Sequence, residues 1–296
     1  MTNKKVLYAE LLLVVVTVIW GLGFPITKIA VNMGYGANTI MVGRFLTASI
    51  ILSIVYYKRL SKINKKLLKY GIITGVFLYF GFFFQTLGNV FTTPSKNGFI
   101  TQLNIVFVPF LYYLFFKKKV DIYNVISVVV AIFGMFLLSF DRSGFKEINI
   151  GDFYTFICAI MVAFHVVSAS YFQKKFNFDP AIFVIINIYT SFVLSLVFMM
   201  MFDTLPQITI FNLWPLLILG IFNTAFGFLV QSYALKVSLP TRISLIVAME
   251  AVFAVVGSYL IIGEIITIQI AVGGFLIISG ILITELKPFK KKTKII

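Results

Sequence analysis

The stretch SLIVAMEAVFAVVGSYL, residues 244–260, holds a single carboxylate, Glu250, in an otherwise apolar run. A charge at the centre of a membrane-spanning helix costs roughly 2.5–3.5 kcal/mol on insertion scales. A group kept at that cost exchanges a proton, pairs with a cationic substrate group, or bonds donors on neighbouring helices and locks them together. Other polar residues stand in comparable runs. Asn97, Thr101 and Asn104 recur at i, i+4 and i+7, which is one helical face. Gln85 and Gln231 each follow a glycine by four residues, Gly81 and Gly227, and Asn89 and Asn223 extend the same two faces. His165 sits mid-run with Met161 and Ser168 on its face, and Trp20 lies at a depth where its ring can stack on a ligand. Packing is the alternative for each of them, because amides glue membrane helices at roughly 0.6 kcal/mol apiece. The candidate substrate-binding set is Trp20, Gln85, Asn89, Asn104, His165, Asn223, Gln231 and Glu250.

Hydrogen bonding, stacking and charge pairing are the chemistry this set offers. Bond-making chemistry lacks its parts. The chain has one histidine and one cysteine, Cys158, which itself lies in an apolar run. That excludes an internal disulfide framework and leaves no metal-ligand cluster. Neither a Gly-x-Ser-x-Gly nor a His-Glu-x-x-His motif is present, and no P-loop would let this chain use ATP directly. No cofactor and no metal are expected.

The elements that must position these side chains follow from composition. Of 296 residues, 60% are hydrophobic and 12% charged. Soluble domains sit near 45–50% and about 25%. Apolar runs of about 20 residues, long enough to cross a bilayer core as helices, recur from end to end. We read ten spans, near 7–30, 38–57, 67–87, 95–116, 121–140, 152–172, 180–201, 212–233, 241–262 and 267–286. The first resembles a secretory signal at Lys4 and Lys5, but its apolar run is too long and no A-x-A site follows.

The net charge of +15 does not point to nucleic acid, because the basic residues crowd into alternate loops. Nineteen of the 25 Lys and Arg fall on the side that holds the termini, three on the other, and three (Lys28, Arg44, Arg242) within or at the ends of spans. This bias predicts cytoplasmic termini and an extracytoplasmic loop at 141–151. Lys28 and Arg44 read as side chains that snorkel to headgroups, and Lys96 and Arg242 as markers of span starts and gates.

The segment from Phe80 aligns without a gap on that from Phe226 at an offset of 146. Gln85 meets Gln231, Pro94 meets Pro240, Lys96 meets Arg242, Asn104 meets Glu250 and Gly134 meets Gly280. Five spans per copy is an odd number, so the second copy enters the membrane from the opposite side. The expected fold is an all-α integral membrane protein of ten helices, built as two inverted five-helix repeats. The halves are 1–146 and 147–296, the latter with a basic tail. Such folds place a substrate site near the midplane, at the repeat interface.

These residues carry a resemblance. Trp20-Gly21, GDFYTFICAIMVAF from Gly151, TTPSKNGFI, and QSYALKVSLPTRISLIVAMEAVF followed by Gly263-Glu264 are together similar to the EamA family of the drug/metabolite transporter superfamily. The likeness covers almost the whole chain. It implies a ten-span carrier of metabolites, often an exporter of amino acids or related compounds, with a ninth-span Glu at Glu250. Where that family often has proline after this Glu, Ala251 stands. Because the motif is shared by carriers of unlike substrates, the resemblance favours a structural lock at Glu250 over direct coupling.

The expected function is secondary transport by alternating access across the plasma membrane. The expected partners are a small-molecule substrate and the lipid bilayer, with protons as the candidate coupling ion, in a monomer or homodimer. A channel and an intramembrane enzyme are the alternatives.

Overall fold

The structure is a computed structural model that describes residues 3–117, 120–139, 149–203, 209–237 and 240–286. Ten of its helical segments are long and apolar enough to cross a membrane. Helix α1 (Asn3–Asn32) is the first span, and α2 (Ala37–Tyr56) with a tight turn of helix at Tyr57–Lys62 is the second. Helix α3 (Lys65–Phe91) is the third span, while α4 (Pro94–Thr101) and α5 (Leu103–Phe116) together make the fourth. Helices α6 (Ile122–Ser139), α7 (Ile150–Phe176) and α8 (Pro180–Phe202) are the fifth to seventh. The eighth joins α9 (Trp214–Ile218), a π-helical stretch (Leu219–Phe226) and α10 (Gly227–Val237). The ninth joins α11 (Pro240–Ala248) and α12 (Glu250–Ile262), and α13 (Ile268–Leu286) is the tenth.

Local sequence sets the ends of these helices. Pro94, Pro180, Pro215 and Pro240 stand in the first turn of a helix, where their missing N–H costs nothing. Asn64, Asn149 and Asp179 cap α3, α7 and α8 by accepting from the backbone N–H of Leu67, Gly151 and Ala181. Lys117, Asn177 and Gly263 end α5, α7 and α12 in left-handed backbone conformations.

The packing follows a pseudo-two-fold pattern. The first span packs on the ninth as the sixth packs on the fourth, and the third packs on the sixth as the eighth packs on the first. The second–seventh and fifth–tenth pairs lie on the axis itself. Glycines make the fifth–tenth contact close. A Cβ added to Gly273 would sit 2.7 Å from the carbonyl oxygen of Gly134, and one added to Gly280 would sit 2.7 Å from that of Ser127. The 146-residue offset turns the first contact into the second, because Gly134 becomes Gly280 and Ser127 becomes Gly273. Small residues let membrane helices approach in this way. Large exposed side chains such as Val129, Met200, Leu260 and Phe275 cover the outside of the bundle, as a lipid solvent requires.

Helix breaks are placed by the same symmetry. The fourth span is interrupted at Gln102 and the ninth at Met249, one residue from register equivalence. Both breaks fall at mid-span, where the site lies.

Candidate functional site

A cavity of about 120 Å³ lies between the first, second, third, fourth, sixth, eighth and ninth spans. All eight candidate residues stand on its wall: Trp20, Gln85, Asn89, Asn104, His165, Asn223, Gln231 and Glu250. Two of the register pairs, Gln85 with Gln231 and Asn104 with Glu250, therefore face one space.

Glu250 is the first residue of α12, so the positive end of that helix's dipole acts on its carboxylate. Its Oε2 accepts a hydrogen bond from Gln102 Nε2 at 3.0 Å. Asn104 occupies the equivalent place beyond the other break, and its Nδ2 donates to the carbonyl of Thr101 at 2.7 Å. The fourth-span break thus brings a polar side chain to a backbone carbonyl, and the two breaks are linked through Gln102 and Glu250.

Arg44 is the main correction to the sequence reading. Rather than reaching headgroups, it is 5% exposed and lines the cavity. Its Nε donates to Thr224 Oγ1 at 2.8 Å, and its guanidinium lies 4.2 Å from the centre of the Phe82 ring. The cause is the π-helical stretch packed against α2, which brings Thr224 round to this face. Arg44 and Glu250 line the same cavity. No salt bridge joins Arg44 to Glu250 among the described residues, so the two do not close directly onto one another.

Lys28 is a second correction. Its ammonium donates to the carbonyls of Asn89, Val90 and Thr92 at 2.7, 3.2 and 3.2 Å. The end of α3 leaves carbonyls without intrahelical partners, and a cation there is favoured by the dipole. The polar stripe on the fourth span is split as well. Thr101 and Asn104 reach the wall, whereas Asn97 is fully buried and donates to the carbonyl of Gln85 at 2.8 Å. Lys96 stands at the start of its span, 3.9 Å from the buried carboxylate of Asp152. The side chain of Arg242, the tail from 287 and loop residues 140–148 lie outside the described residues.

The remaining candidates combine packing with access to the cavity. Trp20 Nε1 donates to the carbonyl of Asn223 at 2.7 Å, and Asn223 Nδ2 donates back to that of Ile19 at 2.7 Å. Gly227 lies under the indole, where a Cβ would collide with it. Asn89 Nδ2 donates to the carbonyl of Phe24 at 2.9 Å, and His165 Nε2 is 3.2 Å from Asn187 Oδ1. Phe228 sits beside both Trp20 and Phe82, at 5.9 and 6.0 Å between ring centres, and makes one wall aromatic. The amide oxygens of Asn89, Gln102 and Asn223 are buried and find no donor among the described residues. Three amide side chains, a carboxylate and a guanidinium thus border a single cavity.

Residues 7–140, and again 149–286, match the EamA-like transporter family. The chain belongs to that family. As an EamA-like transporter it is a multi-pass membrane protein, with the doubled five-helix architecture described above. It is 29% identical over 285 residues to an uncharacterized transporter of Archaeoglobus fulgidus, covering 96% of this chain and 87% of that one. It is 24% identical over 289 residues to the uncharacterized transporter YoaV of Bacillus subtilis, covering 94% and 96%. A protein of known crystal structure shares the fold with a TM-score of 0.64 at 15% identity, covering 93% of this chain and 96% of its own.

Arg44 and Gln102 are among the wall residues that sequence reasoning missed. Gln102 lies one position off the Asn97–Thr101–Asn104 face, and only the interruption of the helix turns it inward. Arg44 offered a usable signal: an arginine eight residues into an apolar run needs a partner inside the bundle as much as a headgroup outside it.

Proposed function

We propose that this EamA-like transporter is a secondary carrier that exports small zwitterionic metabolites, amino acids or close relatives, across the plasma membrane by alternating access. The observation that carries this reading is the pairing of Arg44 with Glu250 on one cavity wall without a direct bond between them. Such a gap suits a ligand whose carboxylate meets the guanidinium and whose ammonium meets Glu250. The amide side chains of Asn89, Gln102 and Asn223 add polar groups to the same wall. The cavity, at about 120 Å³, is well below the roughly 300–1,000 Å³ of drug-sized sites, which favours a small metabolite. The aromatic wall supplies a place for an apolar side chain.

Alternating access is supported by the inverted repeats and by broken helices that meet at the site. The bias of nineteen basic residues to three supports cytoplasmic termini. Export is the direction the family resemblance favours. The proton is the coupling ion that Glu250 offers. On this reading the protein makes no bonds: Cys158 is buried and His165 is engaged with Asn187, so no nucleophile meets a base.

The test is counterflow in proteoliposomes with a panel of labelled amino acids. Saturable exchange supports a carrier, an ohmic current marks a channel, and exchange of compounds lacking either charge overturns the zwitterion assignment. An imposed pH gradient that leaves uptake unchanged removes the proton.

A further inference from the structure

A second cleft lies far from the central cavity, where the second and sixth spans end and the third and seventh begin. It measures about 580 Å³, and Lys62, Lys66 and Lys175 stand on its rim. We propose that this cleft binds a phosphate-bearing anion presented by a membrane lipid, the headgroup of an anionic phospholipid.

Charge is the first argument. The ammonium of Lys66 lies 3.9 Å from the centre of the Phe176 ring, and that of Lys175 lies 5.6 Å from it. Lys175 also donates to Tyr171 Oη at 2.8 Å, and the positive charge that Lys62, Lys66 and Lys175 bring to one rim is what an anion would neutralise. The one carboxylate on the cleft wall, Asp179, does not serve as that anion. Its Oδ1 caps α8 by accepting from Ala181, and its Oδ2 lies 3.5 Å from Arg59. The helices α3 and α8 begin here while α7 and the turn at Tyr57–Lys62 end here, so the helix dipoles offset one another. The first-turn N–H groups of α3 and α8 are partly taken by Asn64 and Asp179, which leaves the lysines as the principal donors.

Shape and place are the second argument, and they select a lipid over a free ion. The cleft floor is apolar: Leu67 and Ile182 are buried, and Phe176 and Phe178 belong to an aromatic stack around Tyr70. A basic rim above an aromatic floor matches an amphiphile, with phosphate at the lysines and glycerol and acyl carbons below. The ends of four spans meet here, which is the depth of the headgroup layer. Basic pockets between spans recognise headgroups in this way.

The experiment uses the purified full chain in detergent and counts retained lipid by native mass spectrometry. Phosphatidylglycerol is titrated against phosphatidylcholine, with glycerol phosphate as the soluble arm. The expected result is phosphatidylglycerol bound at least tenfold more tightly than either competitor. Combining Lys62→Gln, Lys66→Gln and Lys175→Gln should weaken it roughly 100-fold, about fivefold per lysine. Lys4→Gln with Lys5→Gln, at the start of α1, should not change it. Lys66→Arg should retain binding, and an unchanged circular dichroism spectrum shows that the triple variant is folded. Equal retention of the two lipids, or a triple variant that binds like wild type, overturns the site. Glycerol phosphate binding as tightly as the lipid overturns the lipid assignment.

Discussion

Glu250→Gln tests the central cavity most sharply, because glutamine keeps the shape of the side chain and an acceptor oxygen while removing its charge. In the folded protein that oxygen has one side-chain partner, Gln102 at 3.0 Å. A hydrogen bond to a charged group is worth about 1.5–3 kcal/mol and a neutral one about 0.5–1.5, so the internal loss is about 1 kcal/mol. The melting temperature should therefore move by only a few degrees. The ligand feels more. If its ammonium meets Glu250, exchanging a charge-assisted contact for a neutral one costs about 1–3 kcal/mol, or roughly 5- to 150-fold in affinity. Counterflow with a neutral amino acid and with its N-acetyl derivative isolates the contact. Wild type should prefer the free amino acid strongly, and Glu250→Gln should narrow that preference by the same factor. Glu250→Ala should in addition lose stability, since it removes the partner of the Gln102 amide. Equal preference ratios in wild type and Glu250→Gln would refute the assignment and leave Glu250 a packing lock. A Glu250→Gln protein that exchanges substrate but ignores an imposed pH gradient would support its role as the proton-coupling group.

Further outcomes follow from other parts of the bundle. Arg44→Gln should reduce discrimination against carboxyl-amidated ligands by at least tenfold, measured by the same counterflow, whereas a headgroup-seeking arginine would leave it unchanged. In a Cys158→Ala background, cysteine at Ser143 should react with an impermeant maleimide in intact cells and cysteine at Ser61 should not. The reverse pattern would invert the proposed topology. Gly273→Val should overpack the contact with Gly134 and cost about 1–3 kcal/mol, seen as a lower melting temperature in detergent. Asp203→Ala should cost a similar amount, because the carboxylate accepts from Thr39 N at 2.7 Å, Thr39 Oγ1 at 2.9 Å and Asn38 Nδ2 at 3.0 Å.

Sequence periodicity and charge carry the architecture far. Hydrocarbon thickness dictates span length, so the ten runs are legible from composition alone, and the Pro94–Pro240 register carries the doubling. The polar wall was legible because amides and a carboxylate in apolar runs have few reasons to be there. What escaped was rotation about the helix axis. Lys28 was placed near its span end but not in azimuth, and Arg44 was placed too close to the headgroups as well, since the partner surfaces that claim them belong to other spans. Arg44 depends on the π-helical stretch at Leu219–Phe226, and Gln102 depends on a break in the fourth span. Neither irregularity has a proline or a paired-glycine signature at its centre.

The glycine contacts between α6 and α13 have a consequence for ancestry. Gly134 against Gly273 and Ser127 against Gly280 are one contact seen twice, as in the isologous interface of a symmetric dimer. A five-helix chain carrying both positions could meet a second copy of itself there, provided the two were inserted in opposite senses. The covalent join between the halves then fixes that opposition, and frees each half to diverge. Asn104 and Glu250 show the outcome: equivalent positions in the two halves, one neutral and one acidic, facing the same space.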